Sequence, residues 1–285
     1  MSRVALVTGS TDGIGRQTAR QLAAKGVKVI VHGRSRVNVD ATIAWLREEL
    51  PGGEFEGVSF DVGRLADVRR GAEQVLAVAP KLHVLVNNAG IFANERVVTS
   101  EGIETTFAVN YLGPFLLTEL LGPRLTDSAD EMPSRVINVS SVAHQRGRIH
   151  FDDPQLEKSW TGYAAYAQSK LAQVMHALTL ADRHEPSKLL AYSLHPGVVG
   201  TKLLRQGFGP VAGINPESGA RTSVMLASGV GEDEPSGSYF SDGVATPPSS
   251  AARDAEAREK LWNLSVELAK HGGGAGPTDP GTRGQ

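Results

Sequence analysis

The sequence predicts a single α/β domain in which helices cover both faces of a doubly wound parallel β-sheet. Short β-branched segments alternate with longer amphipathic segments along the 285 residues, and this strict alternation is typical of βαβ units. The short segments are nearly continuously apolar, which indicates strands that are buried on both faces. With 40% hydrophobic residues, the chain can build one substantial core.

Six strands and the helices between them can be assigned in order. The predicted strands are VALVT, VKVIVH, GVSFD, HVLVNN, SRVINVS and LLAYSLH. The clearest helical segments are GRQTARQLAAKG, LADVRRGAEQVLAVA and AYAQSKLAQVMHALTLADRH. A short strand near GSYFSD and a helix around REKLWNLSVELAK follow the sixth strand. We expect the domain to span residues 1–271, with a polar insert at 144–162 and a disordered glycine- and proline-rich tail at 272–285.

Composition argues against several functional classes. The formal net charge of −2 gives no electrostatic reason to expect nucleic acid as a partner. The sequence contains no cysteine, so disulfides, cysteine metal sites and thiol nucleophiles are excluded. No apolar run approaches the roughly 18 residues of a membrane span, and a strand already begins at residue 3, which leaves no room for a signal peptide. We therefore expect a cytoplasmic protein without membrane contact.

The first predicted strand leads into the glycine-rich turn TGSTDGIG, and a helix follows directly. Gly9 permits the sharp exit from the strand, Gly13 lets the backbone approach a pyrophosphate, and Gly15 allows close packing of helix and sheet. The helix N-terminus presents free N–H groups to the anion. The turn is therefore typical of a dinucleotide-binding (Rossmann) fold, although a glycine turn without a ligand is the alternative. The predicted cofactor-binding residues of this turn are Gly9, Ser10, Thr11, Asp12, Gly13, Ile14 and Gly15.

The end of the second strand favours NADP(H) over NAD(H). Dinucleotide folds often place an acidic residue there to bind the ribose hydroxyls, whereas arginine accommodates a 2′-phosphate. Here Gly33 fills the acidic position, and Arg34 and Ser35 follow it. The guanidinium fork suits a phosphate, although a solvated surface arginine is the alternative. Asp61, with Val62 beside it, is placed to bind the adenine.

The segment YAAYAQSK contains a candidate proton-transfer pair. Tyr166 and Lys170 are four residues apart and share one face of a helix, whereas Tyr163 lies nearly two turns from the lysine. A neighbouring ammonium stabilises a phenolate and lowers the pKa of the phenol from about 10 toward a useful range. Surface packing is the alternative for the pair. Tyr163 either packs beside the insert or helps to wall a substrate pocket.

Further polar and small residues follow the later strands, at the edge where open α/β sheets bind ligands. These are Asn88, Ala89 and Gly90 after the fourth strand, Asn110 in the helix that follows, Ser140 and Ser141 after the fifth, and Pro196, Gly197, Val199 and Thr201 after the sixth.

The complete set resembles the short-chain dehydrogenase/reductase family over residues 3 to about 270. The glycine pattern, Asn-Asn-Ala-Gly, the Asn–Ser–Tyr–Lys set and Pro-Gly occur in the family's order. NVSSVAH, GRIHF, HPGVV, YFSD and LWNLS are similar to the retinol-dehydrogenase-like branch, which shares the long insert between serine and tyrosine. Members of that branch often carry an N-terminal membrane anchor, and we expect none in this chain.

The resemblance implies a role for each member of the set. Tyr166 would protonate a carbonyl oxygen in reduction and deprotonate the alcohol in oxidation. Lys170 would lower the pKa of Tyr166 and bind the nicotinamide ribose, and Ser141 rather than Ser140 would hold the substrate oxygen. Asn110 would fix a water that links Lys170 to a proton relay. The nicotinamide would supply the hydride.

Other features keep two interpretations each. The family places a mobile substrate loop at residues 202–216, and an ordinary surface connection is the alternative. The cluster HFDD could suggest a metal, but adjacency in sequence rarely gives good coordination geometry, so we expect no metal site. We expect His144 to be a hydrogen-bonded structural residue rather than a pH-sensitive group, and His195 to pack at the strand end.

The sequence thus predicts an NADP(H)-dependent oxidoreductase that interconverts a carbonyl and an alcohol. The family branch implies a lipophilic or aromatic small-molecule substrate. A C=C reductase like the protochlorophyllide reductases is less favoured, because those enzymes use a cysteine as proton donor. An NADP(H)-binding sensor or scaffold without turnover is the other alternative, although such proteins usually lose part of the Asn–Ser–Tyr–Lys set. The oligomeric state is left open. Members of the family often form homo-oligomers through two helices, but the insert could block one such interface.

Overall fold

The computed structural model describes residues 2–229 and 234–271. Within these ranges the chain forms one α/β domain around an eight-stranded sheet of order β3-β2-β1-β4-β5-β6-β7-β8. All neighbouring strands are parallel except β7 and β8. The strands are β1 (Val4–Val7), β2 (Lys28–Gly33), β3 (Phe55–Ser59), β4 (Val84–Asn87), β5 (Ser134–Val139), β6 (Leu189–His195), β7 (Tyr239–Ser241) and β8 (Val244–Thr246).

Helices connect the parallel strands. They are α1 (Gly13–Ala23), α2 (Arg36–Glu49), α3 (Leu65–Val78), α4 (Thr105–Phe107), α5 (Gly113–Ser128), α6 (Gly162–Arg183), α7 (Lys202–Phe208), α8 (Pro216–Ser228), α9 (Ser250–Arg253) and α10 (Ala255–His271). A π-helical turn (Ala108–Leu112) joins α4 to α5, and a 3₁₀ turn (Val142–Arg146) follows β5. The doubly wound prediction and the six parallel strands are confirmed.

The central strands are buried on both faces, which explains their continuous apolar sequence. Leu6, Ile30 and Leu85 contact a core layer formed with α3, α5 and α6. Their neighbours Val7 and Val31 contact the opposite layer, formed with α1, α2 and α8. The strand order reverses at β1, where β2 lies on one side and β4 on the other. Such a switch point opens a crevice at the carboxyl ends of the strands.

The insert is folded against the domain by buried polar contacts. The Trp160 indole donates to the Glu104 carboxylate at 3.2 Å, and the same carboxylate accepts from the Phe107 N–H at 2.7 Å. The Gln168 side chain, on α6, accepts from the His150 N–H and donates to the Pro154 carbonyl, both at 3.0 Å. These bonds place the insert beside the N-terminal half of α6. The predicted tail at 272–285 lies outside the described residues.

Candidate active site

Two glycines of the turn after β1 require the conformations that glycine favours. Gly9 and Gly13 have φ values of +64° and +54°, which are strained for residues with a Cβ. At Gly15 a Cβ would lie 2.3 Å from the Gly9 carbonyl oxygen and 2.4 Å from Asn88 Nδ2. The first turn of α1 therefore packs directly on the strand end, as the spacing of the glycines predicted. Asp12 caps α1, accepting from the Gly13 N–H at 2.8 Å.

Thr8 joins the glycine turn to the Asn-Asn-Ala-Gly segment. Its hydroxyl accepts from the backbone N–H groups of Asn88 at 2.9 Å and Ala89 at 3.0 Å, and it donates to the Val86 carbonyl at 3.2 Å. The Asn88 side chain donates to the Thr8 carbonyl at 2.7 Å. Asn88 therefore stabilises the glycine-rich turn Gly9–Gly15, which we call the cradle. Thr8 is not among the predicted site residues, although it stands directly between β1 and Gly9 in the sequence.

A buried histidine holds the turn from the other side. The Gly9 N–H donates to His32 Nδ1 at 3.0 Å, and His32 Nε2 donates to the Phe60 carbonyl at 3.1 Å. Because Nδ1 accepts, the ring is neutral with its proton on Nε2. Burial lowers the pKa of His32 to about 4, although the bond to Phe60 opposes the shift. No local pattern in the sequence points to this contact.

The cradle opens into a cavity of about 920 Å³ along the carboxyl edge of the sheet. Predicted cofactor residues that line it are Gly9, Thr11, Asp12, Gly13, Ile14, Gly15, Arg34, Asp61, Val62, Asn88, Ala89, Gly90 and Thr201. Seven predicted cofactor residues are not among them: Tyr166, Lys170, Pro196, Gly197 and Val199 line the adjoining cavity described below, and Ser10 and Ser35 line neither. The Ser10 hydroxyl is buried and accepts from the His32 N–H at 2.9 Å, and the Ser35 hydroxyl accepts from the Asn38 N–H as the N-cap of α2.

Two arginines line the end of this cavity near β2 and β3. Arg34 and Arg64 are exposed there, and neither has a hydrogen bond or ion pair in the part of the chain that the structure describes. Arg36, by contrast, donates to the Gly57 carbonyl at 3.0 Å and pairs with Asp40 at 2.8 Å. Arg64 was not predicted; it follows the carboxyl end of β3, at the same edge of the sheet as Arg34.

Ser141 and Tyr166 meet in the site, and Ser140 does not join them. Both residues line one cavity, and the Ser141 side chain acts on the phenol in the direction that lowers the pKa of Tyr166. The Ser140 hydroxyl is buried and donates to the Lys170 carbonyl at 2.7 Å, so it faces α6. The phenol ring of Tyr166 is almost fully buried and packs against Phe92 and Phe208, with centroid separations of 5.4 and 6.2 Å.

Tyr166 and Lys170 are both buried, and burial shifts their pKa values in opposite directions. Burial raises the pKa of Tyr166 to about 12, a shift that the Ser141 side chain opposes. Burial also lowers the pKa of Lys170 to about 7. Lys170 Nζ lies over the Tyr166 ring, 5.5 Å from its centroid. Burial therefore dominates the pKa of both groups, and the effect of Lys170 on the phenol stays a prediction.

The side chains of Asn110 and Lys170 both lie close to the backbone of Gly90. A Cβ at Gly90 would lie 3.4 Å from Asn110 Oδ1 and 3.6 Å from Lys170 Nζ. Asn110 lies in the π-helical turn, a feature often found at functional sites. The side-chain amide of Asn110 makes three hydrogen bonds. It accepts from the Ile91 N–H at 2.8 Å and donates to the Ile91 carbonyl and the Ser169 hydroxyl, each at 3.0 Å.

A second, mainly apolar cavity of about 270 Å³ adjoins Tyr166. It is lined by Ser141, Val142, Tyr166, Lys170, His195, Pro196, Gly197, Val199, Thr201, Leu203, Leu204, Phe208 and Val211, among others. Segment 202–216 thus supplies much of one wall through α7, which Thr201 caps. The contact between Phe208 and Tyr166 was not predicted. Tyr163 is 39% exposed and belongs to the lining of neither cavity.

The two histidines considered in the sequence, His144 and His195, differ in their surroundings. His144 is fully buried, donates from Nδ1 to the Ser141 carbonyl at 2.8 Å and accepts at Nε2 from the Ser249 N–H at 3.3 Å. It has the hydrogen-bonded structural role that was expected. His195 lines the apolar cavity, so the interpretation as simple strand-end packing is incomplete. Within residues 2–229 and 234–271, no group of three His, Asp or Glu side chains is arranged to hold a metal ion.

The fold and the site together define a dinucleotide-binding α/β protein with a buried tyrosine and lysine beside an apolar cavity. The sequence profile of the family described as "short chain dehydrogenase" matches residues 3–208. The chain belongs to this family of oxidoreductases, which use nicotinamide cofactors and act on small molecules.

Curated relatives cover nearly the whole chain. Human retinol dehydrogenase 12 is 39% identical over 93% of this chain and 86% of its own length. Mouse polyprenol dehydrogenase is 38% identical over 95% of this chain and 85% of its own length. The solved structure of an uncharacterized protein from Mycobacterium Paratuberculosis is similar to this one, with a TM-score of 0.77, 32% identity, and coverage of 94% of this chain and 93% of its own. Among the described residues of this chain, no helix has the length and apolar character that a membrane span requires.

Proposed function

We propose that this protein is an NADP(H)-dependent oxidoreductase that interconverts a carbonyl and an alcohol on a lipophilic or aromatic small molecule. The observation that carries the proposal is the Tyr166–Ser141 pair, which opens onto an apolar cavity next to the glycine cradle. Retinol and polyprenol, which appear in the names of two relatives, are apolar alcohols of the kind that such a cavity suits.

The residues present fit a nicotinamide dinucleotide. The Gly9–Gly15 turn, whose close approach a Cβ would obstruct, leaves room for a pyrophosphate at the N-terminus of α1. Arg34 and Arg64 would hold a 2′-phosphate, and Asp61 the adenine. Lys170 would bind the nicotinamide ribose below Gly90. When bound, the nicotinamide donates or accepts the hydride.

Side chains of the protein would transfer the proton to or from the substrate oxygen. With a pKa of about 12 in the protein alone, Tyr166 is protonated at neutral pH and suited to donate to a carbonyl oxygen. The Ser141 hydroxyl, which lines the same cavity, would hold the same oxygen in place. In oxidation the phenol must lose its proton, so a cation beside the ring has to overcome the effect of burial. Lys170 is the cationic group close enough to do so in the described site.

The first experiment is a pair of fluorescence titrations of the purified protein with NADPH and NADH. We expect tighter binding of NADPH, followed by oxidation of NADPH when decanal, benzaldehyde or retinaldehyde is added. Preference for NADH would keep the enzyme class and contradict the cofactor assignment. Binding of NADPH without turnover of any aldehyde or ketone would favour a sensor or scaffold instead.

Replacement of Gly15 by alanine should disrupt the cradle. Its Cβ would meet the Gly9 carbonyl at 2.3 Å, so the turn must shift, with an expected loss of about 1–3 kcal/mol in the free energy of unfolding. We expect NADPH binding to weaken at least about tenfold, because pyrophosphate contacts depend on the same backbone. Thermal denaturation and the fluorescence titration measure the two effects.

Gly122→Ala is the matched control for this substitution. Gly122 lies within α5, where a Cβ meets nothing within 4 Å, so alanine should leave cofactor binding unchanged and stabilise the helix by about 0.5–1 kcal/mol. Unaltered NADPH binding by the Gly15→Ala protein would contradict the assignment of the turn as the pyrophosphate site.

A further inference from the structure

The side chain of Gln173 lies one helical turn after Lys170 on α6 and is buried with it. Its Oε1 accepts a hydrogen bond from Lys170 Nζ at 2.9 Å. The other acceptor of this ammonium is the Val139 carbonyl at the end of β5, also at 2.9 Å. Because an ammonium only donates, the amide must turn its oxygen toward the lysine. Two of the three ammonium hydrogens are thus held by the protein.

We propose that Gln173 is a positioning residue that fixes Lys170 Nζ at the nicotinamide end of the site. This inference rests on the proposed function, which gives Lys170 its task. A lysine side chain is a flexible four-carbon stem with a compact charge, so its direction depends on the acceptors around it. With Val139 and Gln173 holding two hydrogens, the third is left for the cleft below Gly90, whose hypothetical Cβ lies 3.6 Å from Nζ.

Packing alone does not account for an amide at position 173. Gln173 is 1% exposed, and its Nε2 has no hydrogen-bond partner in the described ranges. An unpaired buried N–H group is costly, and an apolar side chain would avoid that cost. The bond to Lys170 is therefore the contact that explains the choice of residue.

The turn that carries Gln173 is itself anchored in the sheet. The Asn138 side chain, on β5, donates to the Gln173 carbonyl at 3.0 Å. Asn138 in turn accepts from the Asn87 side chain, on β4, at 2.9 Å. These buried bonds fix the backbone from which the Gln173 side chain reaches the lysine, so the position of Nζ is determined by both strands.

The titration of Lys170 reports directly on this contact. The titratable groups that face Lys170 are Tyr166 on α6, whose ring lies under Nζ, and His195 at the end of β6. Burial lowers the pKa of Lys170 to about 7, well apart from ordinary lysines near 10.4. The signal is therefore resolvable by NMR of the full chain labelled with ¹³Cε-lysine, and the Lys170→Arg variant assigns it.

Two substitutions at position 173 should move the midpoint in opposite directions. Q173M keeps the length of the side chain but removes the acceptor, which disfavours the charged lysine and should lower the midpoint by about one pH unit. Q173E keeps an acceptor oxygen and adds a negative charge, which should raise the midpoint by about one unit or more. If Q173M does not fold, the shift in Q173E decides the question.

Gln168→Met is the matched control. Gln168 is also a buried glutamine of α6, but its hydrogen bonds go to the insert at His150 and Pro154. We expect Q168M to lower the melting temperature and to leave the Lys170 midpoint unchanged. A midpoint that is unchanged in both Gln173 variants, or that Q168M shifts as much as Q173M does, would overturn the positioning role. The titration needs neither cofactor nor turnover, so an inactive wild-type protein would count against the proposed function and leave this result standing.

Discussion

Replacement of Tyr166 by phenylalanine is expected to lower kcat for aldehyde reduction by about 10²–10⁴-fold, the usual contribution of a positioned general acid. Phenylalanine keeps the aromatic ring packed against Phe92 and Phe208 and removes only the hydroxyl group. The apolar wall and the cradle are therefore preserved. We expect the dissociation constant for NADPH to stay within about twofold of the wild type, since uniform binding is not altered. Steady-state kinetics and the fluorescence titration separate the two effects.

Tyr163→Phe is the control for this experiment. Tyr163 lies on the same helix, one turn earlier, with a side chain that is exposed and lines neither cavity. The same loss of a phenolic hydroxyl there should leave kcat unchanged. If Tyr166→Phe retained the wild-type kcat, the proton-transfer role would be wrong. An equal loss in both variants would point to a general effect on α6 instead.

The parts of the site that the sequence predicted depend on local spacing. The glycines at 9, 13 and 15 and the Tyr166–Lys170 pair are defined by positions within one turn or one helix, so backbone geometry alone relates them. The alternating strands and helices likewise determine which edge of the sheet carries the ligand-binding residues. For these features, sequence order is enough.

The contacts that were missed depend on how distant segments meet. The bond from Gly9 to His32 links the ends of β1 and β2, and no residue pattern within either strand signals it. Phe208 reaches Tyr166 only because α7 folds back over the site. The pKa values of Tyr166 and Lys170 depend on burial, which helical spacing does not report. The strand β8 is a different case, because the Asp242–Gly243 pair before it is a typical hairpin turn that the sequence displayed.

The second large effect is expected for Arg34→Glu, which should weaken NADPH binding by roughly 100-fold and NADH binding by less than about threefold. In the wild type, the exposed guanidinium of Arg34 lines the cavity near β2 without a partner in the described chain. A 2′-phosphate would pair with it, whereas a carboxylate there would repel the phosphate and still accept from ribose hydroxyls. Parallel fluorescence titrations with both cofactors measure the ratio.

Arg47→Glu provides the same change of charge at an exposed position of α2, away from the cavity lining. It should leave the ratio of NADPH to NADH affinity unchanged, since charges beyond a Debye length are largely screened at physiological ionic strength. Equal losses of NADPH and NADH in Arg34→Glu would remove Arg34 as the phosphate contact. Arg64→Glu then tests the neighbouring guanidinium. A selective loss of NADPH in that variant alone would place the phosphate beside β3, whereas partial losses in both would mean that the two arginines share it.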